Sequence, residues 1–189
     1  MESAFSLTLE EYRGYLKMLA RSQLHAQIQG KLDASDVVQQ TLLDAYRNRQ
    51  QFRGQTQAEM AGWLRQILAN NIGGALRAAH RPKRDLGREV SLQSALDTSS
   101  MHLEAFLAAE QSSPSMKAQK QEDMVHLANS LDQLPEDRRE AVTLRLCHNW
   151  SLDQISSHLG KTKKAVAHLL QRGLSQLREL MQERHGTAE

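Results

Sequence analysis

Lys161, Lys163, Lys164, His168, Gln171 and Arg172 crowd one short stretch, SLDQISSHLGKTKKAVAHLLQRG, Ser151 to Gly173. Arg and Gln suit bidentate contacts with base edges, while Lys more often takes a phosphate. The chemistry open to such a set is the reading of DNA, provided one helix face presents it. Ser151 followed by Gln154 is a capping-box pair, so a helix starts there. Ile155 and Leu159 face inward, and Gly160 suits a left-handed helix ending. Thr162 can cap a second helix whose inner positions are Val166, Leu169, Leu170 and Leu174. Two short helices around a tight glycine turn form a helix-turn-helix, whose second helix can enter the major groove. Its outward face carries Lys163, Lys164, Ala167, His168, Gln171 and Arg172.

The charge at this second helix start has two readings. Lys161, Lys163 and Lys164 sit where the helix dipole prefers negative charge. Phosphates or base edges could supply the missing anion. Alternatively, exposed lysines cost little and serve solubility, and glycine-turn helix pairs also occur in plain bundles.

Other chemistries find no support in the sequence. One cysteine, Cys147, excludes a disulfide framework or a CxxC metal site within a monomer. His148, His158 and His168 are ten residues apart, not at the i, i+4 spacing of a helical zinc pair. His158 and His168 read as surface or DNA-facing, and no metal site is expected. No nucleophile–base constellation or glycine-rich phosphate loop appears, so neither an enzyme nor a cofactor is expected.

The elements that must position these residues are helical throughout. The chain has 189 residues, only 3 Pro and 10 Gly, and is rich in strong helix formers, with no alternating run that reads as a strand. Its acidic start and the lack of a long apolar run point to a soluble, cytoplasmic protein without signal peptide or membrane span. A first helix is expected over about Leu9 to Gln29, with Tyr12, Leu16, Leu19, Ala20 and Leu24 inside and Gly30 ending it. A second follows DASD at 33–36, with Val38, Leu42, Ala45 and Tyr46 inside. A third starts near Gln57 and runs to about His80, stopped by Pro82. Its apolar face holds Met60, Trp63, Leu64, Ile67, Leu68, Ile72 and Leu76, and Gly73 and Gly74 are expected to interrupt it.

A basic block, RAAHRPKRDLGR at 77–88, then gives way to an acidic, Ser-containing segment. That shift marks a boundary. Residues 85–119 read as a flexible linker in which LQSAL and MHLEAFLAA allow short helical pieces, and SSPS at 112–115 breaks any long helix. Residues 120–184 read as four helices, with Met124, Leu127 and Leu131 inside the first and Pro135 at the first position of the second. The expected fold is therefore all-α: two small helical domains, 9–84 and 120–184, the second a helix-turn-helix.

Taken together, the two halves resemble the bacterial sigma factors of the extracytoplasmic-function type. DASDVVQQTLLDAYRNRQQFRG and the following WLRQILANN carry the resemblance in the first half. LPEDRREAVTLRLCHNWSLDQISSHLGKTKKAVAHLLQRGLSQLREL carries it in the second. The resemblance implies a helix docking on the clamp coiled coil of core RNA polymerase through Asp36, Gln39, Gln40 and Asp44, although any helix has a solvated polar face. It implies contact with a melted −10 strand through Arg53, Gln55, Thr56, Gln57 and Asn70. Arg77, Arg81, Lys83 and Arg84 would hold backbone phosphates, giving salt-sensitive, sequence-neutral affinity. Phe52 and Trp63 could stack on bases, but Trp63 sits in the apolar stripe and reads as core. Lys163, Lys164, Ala167, His168, Gln171 and Arg172 would read the −35 element, and the acidic linker would thread the polymerase channel that later carries RNA.

Lys161 and Ser156 depart from the pattern, standing where the family often has an aliphatic residue and an Ala. The implied partners are core RNA polymerase and promoter DNA, with a separate anti-sigma protein as a family expectation. The rival reading is a stand-alone helix-turn-helix repressor or activator, which leaves the first domain without a role.

Overall fold

The computed structural model describes residues 9–25, 33–80, 86–110 and 120–183, and the chain divides into two compact units, 1–100 and 101–189. The described residues are helical, with short turns between.

In the first unit, a helical turn at residues 9–11 leads into α1, Arg13–His25. Helix α2, Ala34–Arg47, starts where Asp33 accepts from the Ser35 N–H at 2.8 Å. A 3-10 turn, Arg49–Gln51, precedes α3, Gln57–His80. Helices α1, α2 and α3 pack on one another. Their core is the expected apolar set: Tyr12, Leu16, Leu19, Ala20, Leu24, Val38, Leu42, Ala45, Met60, Leu64, Leu68, Ile72 and Leu76 are buried. Tyr46, Trp63 and Ile67 are only half-buried. Helix α3 runs unbroken through Gly73 and Gly74, correcting the expected interruption. The packing of Ile72 and Leu76 on either side offsets their low propensity. Gly30 and Pro82 lie outside the described residues.

The segment read as a flexible linker holds one long helix, α4, Leu86–Glu110. Leu92, Leu96, Leu103 and Leu107 recur at heptad-like spacing and are buried, which selects helix over open chain. Within the first unit, Tyr15 donates to the Ser100 hydroxyl at 3.1 Å. Arg65 donates through Nε to Asp97 at 2.7 Å and through Nη1 to Tyr15 at 2.9 Å. Burial opposes the guanidinium charge, but Tyr15 and Asp97 outweigh it and raise its pKa. In the second unit His102 Nδ1 lies 3.0 Å from the Cys147 carbonyl.

The second unit continues with α5, Lys120–Asp132; α6, Glu136–His148; α7, Leu152–Leu159; and α8, Lys163–Glu183. Pro135 sits one residue before α6 rather than inside it, and its carbonyl accepts from Arg139 N–H at 2.9 Å. Asn149 ends α6 in the left-handed region at φ 52°. Met124, Leu127, Leu131, Leu134, Val142, Ile155, Val166 and Leu177 close the core. Helix α8 packs on α5, α6 and α7. Among the described residues no helix is long and apolar enough to cross a membrane.

Candidate nucleic-acid interface

Local hydrogen bonds build the two helices of the turn. Ser151 Oγ accepts from Gln154 N–H at 3.3 Å while the Gln154 amide oxygen accepts from Ser151 N–H at 2.9 Å, completing the capping box. Gly160 ends α7 at φ 61°, and its N–H and that of Lys161 both bond to the Ser156 carbonyl. Thr162 Oγ1 accepts from Ala165 N–H at 3.2 Å, capping α8. The structure adds a bond the sequence reading did not foresee: the Ser156 hydroxyl donates to the Lys161 carbonyl at 2.5 Å. The two departures from the family pattern thus meet in one turn.

Packing fixes the orientation of α8. Val166 and Leu177 are fully buried, while Leu169 and Leu174 are half-buried. Gly173 lies against α6: a Cβ there would come 2.6 Å from Val142 Cγ2. One turn on, Arg138 donates to Gln176 at 2.8 Å. With that side turned inward, Lys163, Lys164, His168, Gln171 and Arg172 are exposed and Ala167 is intermediate, as expected.

The lysines are not equivalent. Lys161 pairs with Asp137 at 3.3 Å and Lys163 with Asp153 at 2.5 Å. The side chains of Lys164, His168, Gln171 and Arg172 make no hydrogen bond or ion pair among the described residues. Spaced i, i+4, i+7 and i+8, these four form one outward row. Acidic partners therefore answer part of the charge that sequence reading left open, and Lys164 and Arg172 carry the unmatched part.

In the first unit, Asp36, Gln39 and Gln40 are exposed on α2. Gln39 accepts from Arg13 at 3.1 Å. Asp44 differs: one oxygen accepts from Gln40 at 2.8 Å and the other from Asn71 at 3.1 Å. Arg53, Gln55, Thr56, Gln57 and Asn70 are exposed. Thr56 opens a capping box, its hydroxyl accepting from Glu59 N–H at 3.2 Å. Glu59 Oε2 accepts from the N–H groups of Gln55 and Thr56 at 2.8 and 3.0 Å and from the Thr56 hydroxyl at 2.9 Å. Those donors hold its carboxyl below the ordinary carboxylate range, the Gln55 amide contributing most. Phe52 and Trp63 stack on each other, centroids 5.2 Å apart. Arg77 is half-buried, and Arg81, Lys83 and Arg84 lie outside the described residues.

His158 is half-buried with its ring edge-on to Trp150 at 5.1 Å, and the His148 ring lies tilted against Trp150 at 5.4 Å. That corrects its reading as a surface or DNA-facing residue: Trp150 supplies an apolar neighbour that the sequence spacing hid. Among the described residues no group of His, Cys, Asp and Glu could hold a metal ion.

Comparison with known proteins bears on the whole chain. The family model "Sigma-70, region 4" matches residues 126–177, which span the second half of α5, all of α6 and α7, and most of α8. RNA polymerase sigma factor CarQ of Myxococcus xanthus is 30% identical over 182 residues, covering 96% of this chain and 89% of that protein. A solved structure of the sigma factor RpoE with the anti-sigma factor NepR, from Bartonella quintana, aligns with a TM-score of 0.35 and 20% identity. That alignment covers 95% of this chain and 97% of the other.

Proposed function

The chain belongs to the RNA polymerase sigma factor family, of the extracytoplasmic-function type, and from that premise we propose that it binds core RNA polymerase in the cytoplasm and directs it to promoters by recognising −10 and −35 DNA elements. The observation that carries this reading is the row Lys164, His168, Gln171 and Arg172, exposed on a capped helix-turn-helix and without partners among the described residues. Gln171 and Arg172 are suited to base edges, and Lys163 and Lys164 to phosphates.

In the first unit, Asp36, Gln39 and Gln40 supply the polymerase-docking face. Arg53, Gln55, Gln57 and Asn70 face the melted −10 strand, and Arg77, Arg81, Lys83 and Arg84 its phosphates. Asp44 and Thr56 belong to the same docking and −10 faces, and their bonds to Asn71 and Glu59 hold them in place there.

Run-off transcription with bacterial core polymerase and a genomic promoter library tests the reading. Core-dependent transcripts from a defined promoter class are expected. No core binding and no promoter-specific transcript would overturn it. Sequence-specific DNA binding that is indifferent to polymerase would favour a stand-alone repressor or activator.

A further inference from the structure

Two carboxylates pair with lysines of the turn and of the α8 start. Asp153, in the first turn of α7, pairs with Lys163, and Asp137, in the first turn of α6, pairs with Lys161. Both pairs lie open to solvent: the side chains of Asp153 and Lys163 are 65% and 69% exposed. Exposed pairs of this kind add little to stability. A carboxylate beside a DNA backbone also repels it. The pairing itself therefore adds little beyond the favourable position of each acid at a helix start, whereas the effect of the acids on phosphate attraction follows from the lysines they hold.

We infer that Asp153, seconded by Asp137, is a specificity-determining residue that holds the turn lysines back from sequence-neutral phosphate contacts and leaves discrimination to Gln171 and Arg172. Phosphate attraction is equal on every sequence. On a cognate −35 element, base contacts seat α8 and fix where Lys163 lies. On any other sequence, the complex is held by whatever phosphates the cations can reach. An acid that occupies Lys163 penalises the second case more than the first. The inference rests on the reading that α8 contacts DNA.

The test compares Asp153→Asn with the parent, each as holoenzyme, on a selected promoter fragment and on the same fragment with its −35 element scrambled, across a range of salt. Lys164→Ala is measured alongside. Asp153→Asn is expected to raise affinity for the scrambled fragment about threefold, the size of one screened charge interaction near the surface. It should raise cognate affinity less and steepen the salt slope on scrambled DNA by about one unit. If Lys164→Ala weakens binding but Asp153→Asn leaves the scrambled fragment unchanged, the inference fails and the reading of α8 stands. If Lys164→Ala has no effect, that reading fails and the inference with it. A fall on both fragments with a lower melting temperature would show Asp153 acting only on the α7 helix dipole, which also overturns the inference.

Discussion

The Ser156 hydroxyl donates to the Lys161 carbonyl across the turn that joins α7 to α8, while the Ser156 carbonyl accepts the Lys161 N–H. One residue thus holds both backbone groups of the other. Ser156→Ala should lower the stability of the second unit by about 0.5–1 kcal/mol, the value of one part-exposed hydrogen bond. Thermal unfolding should show a melting temperature lower by a few degrees. An unchanged midpoint would mean that water replaces the hydroxyl without loss.

Gly173 fixes the distance between α6 and α8. An added Cβ would sit 2.6 Å from Val142 Cγ2 and 3.4 Å from Arg138 Cβ. On an open helix face Gly→Ala would stabilise by nearly 1 kcal/mol. Here overpacking should exceed that gain, leaving Gly173→Ala destabilised by about 1–2 kcal/mol. Val142→Ala removes the clashing methyl, so the double variant should be more stable than the sum of the singles, with a coupling of at least about 1 kcal/mol. Additive unfolding energies would refute the contact.

These residues also show what the sequence could and could not reveal. The pairs Ser151–Gln154 and Thr162–Ala165, and the left-handed Gly160, were legible because each bond closes within four residues. The inner faces of α1 to α3 were legible from their spacing. Gly173 was not, because its reason is a methyl on another helix. The bond from Asn71 to Asp44 was not legible either, because the two lie 27 residues apart on different helices. Helix α4 was hidden for a different reason. Its buried stripe at Leu92, Leu96, Leu103 and Leu107 is blurred by Met101, which is 66% exposed, and by half-buried Phe106. Its polar anchors, Asp97 and Ser100, meet Arg65 and Tyr15 only in three dimensions.

Arg65 is the centre of that anchorage, with its side chain 17% exposed against 42% for Asp97. Arg65→Met should cost about 1–2 kcal/mol, less than a fully buried pair because solvent reaches Asp97. Urea unfolding measures the loss, and hydrogen exchange should quicken first at the amides of residues 92–100. Arg65→Lys should rescue only part of it, since an ammonium cannot reproduce the fork that reaches Asp97 and Tyr15 together. Full rescue by lysine would reduce the site to a simple charge.

Glu59 ties Gln55 and Thr56 to the start of α3, and its carboxyl titrates below the 4.5 of a free glutamate because the ionised form collects the Gln55 and Thr56 donors. A folded pKa below the unfolded one means stabilisation that is complete above about pH 4.5 and is lost as pH falls through the folded value. The urea midpoint of the parent should therefore drop as pH falls below about 4.5. Glu59→Gln should start lower at neutral pH and lose less over that fall. Parallel curves for the two proteins would show that the carboxylate charge is not what holds the loop.

Arg172 and Arg81 separate reading from holding. Arg172 lies at the far end of the outward row on α8, exposed and without a partner among the described residues. A guanidinium there can take two acceptors on one guanine, a contact worth about 1–3 kcal/mol against the wrong base. Arg172→Ala should thus flatten the −35 preference in a selection with randomised promoters while transcription from a −35-independent template persists. Arg81 belongs to the basic block after α3, where a phosphate contact carries no sequence information. Arg81→Ala should weaken promoter binding evenly across sequences and reduce the salt slope by about one unit. Were Arg81→Ala to change only sequence preference, or Arg172→Ala only the salt slope, the two roles would have to be exchanged.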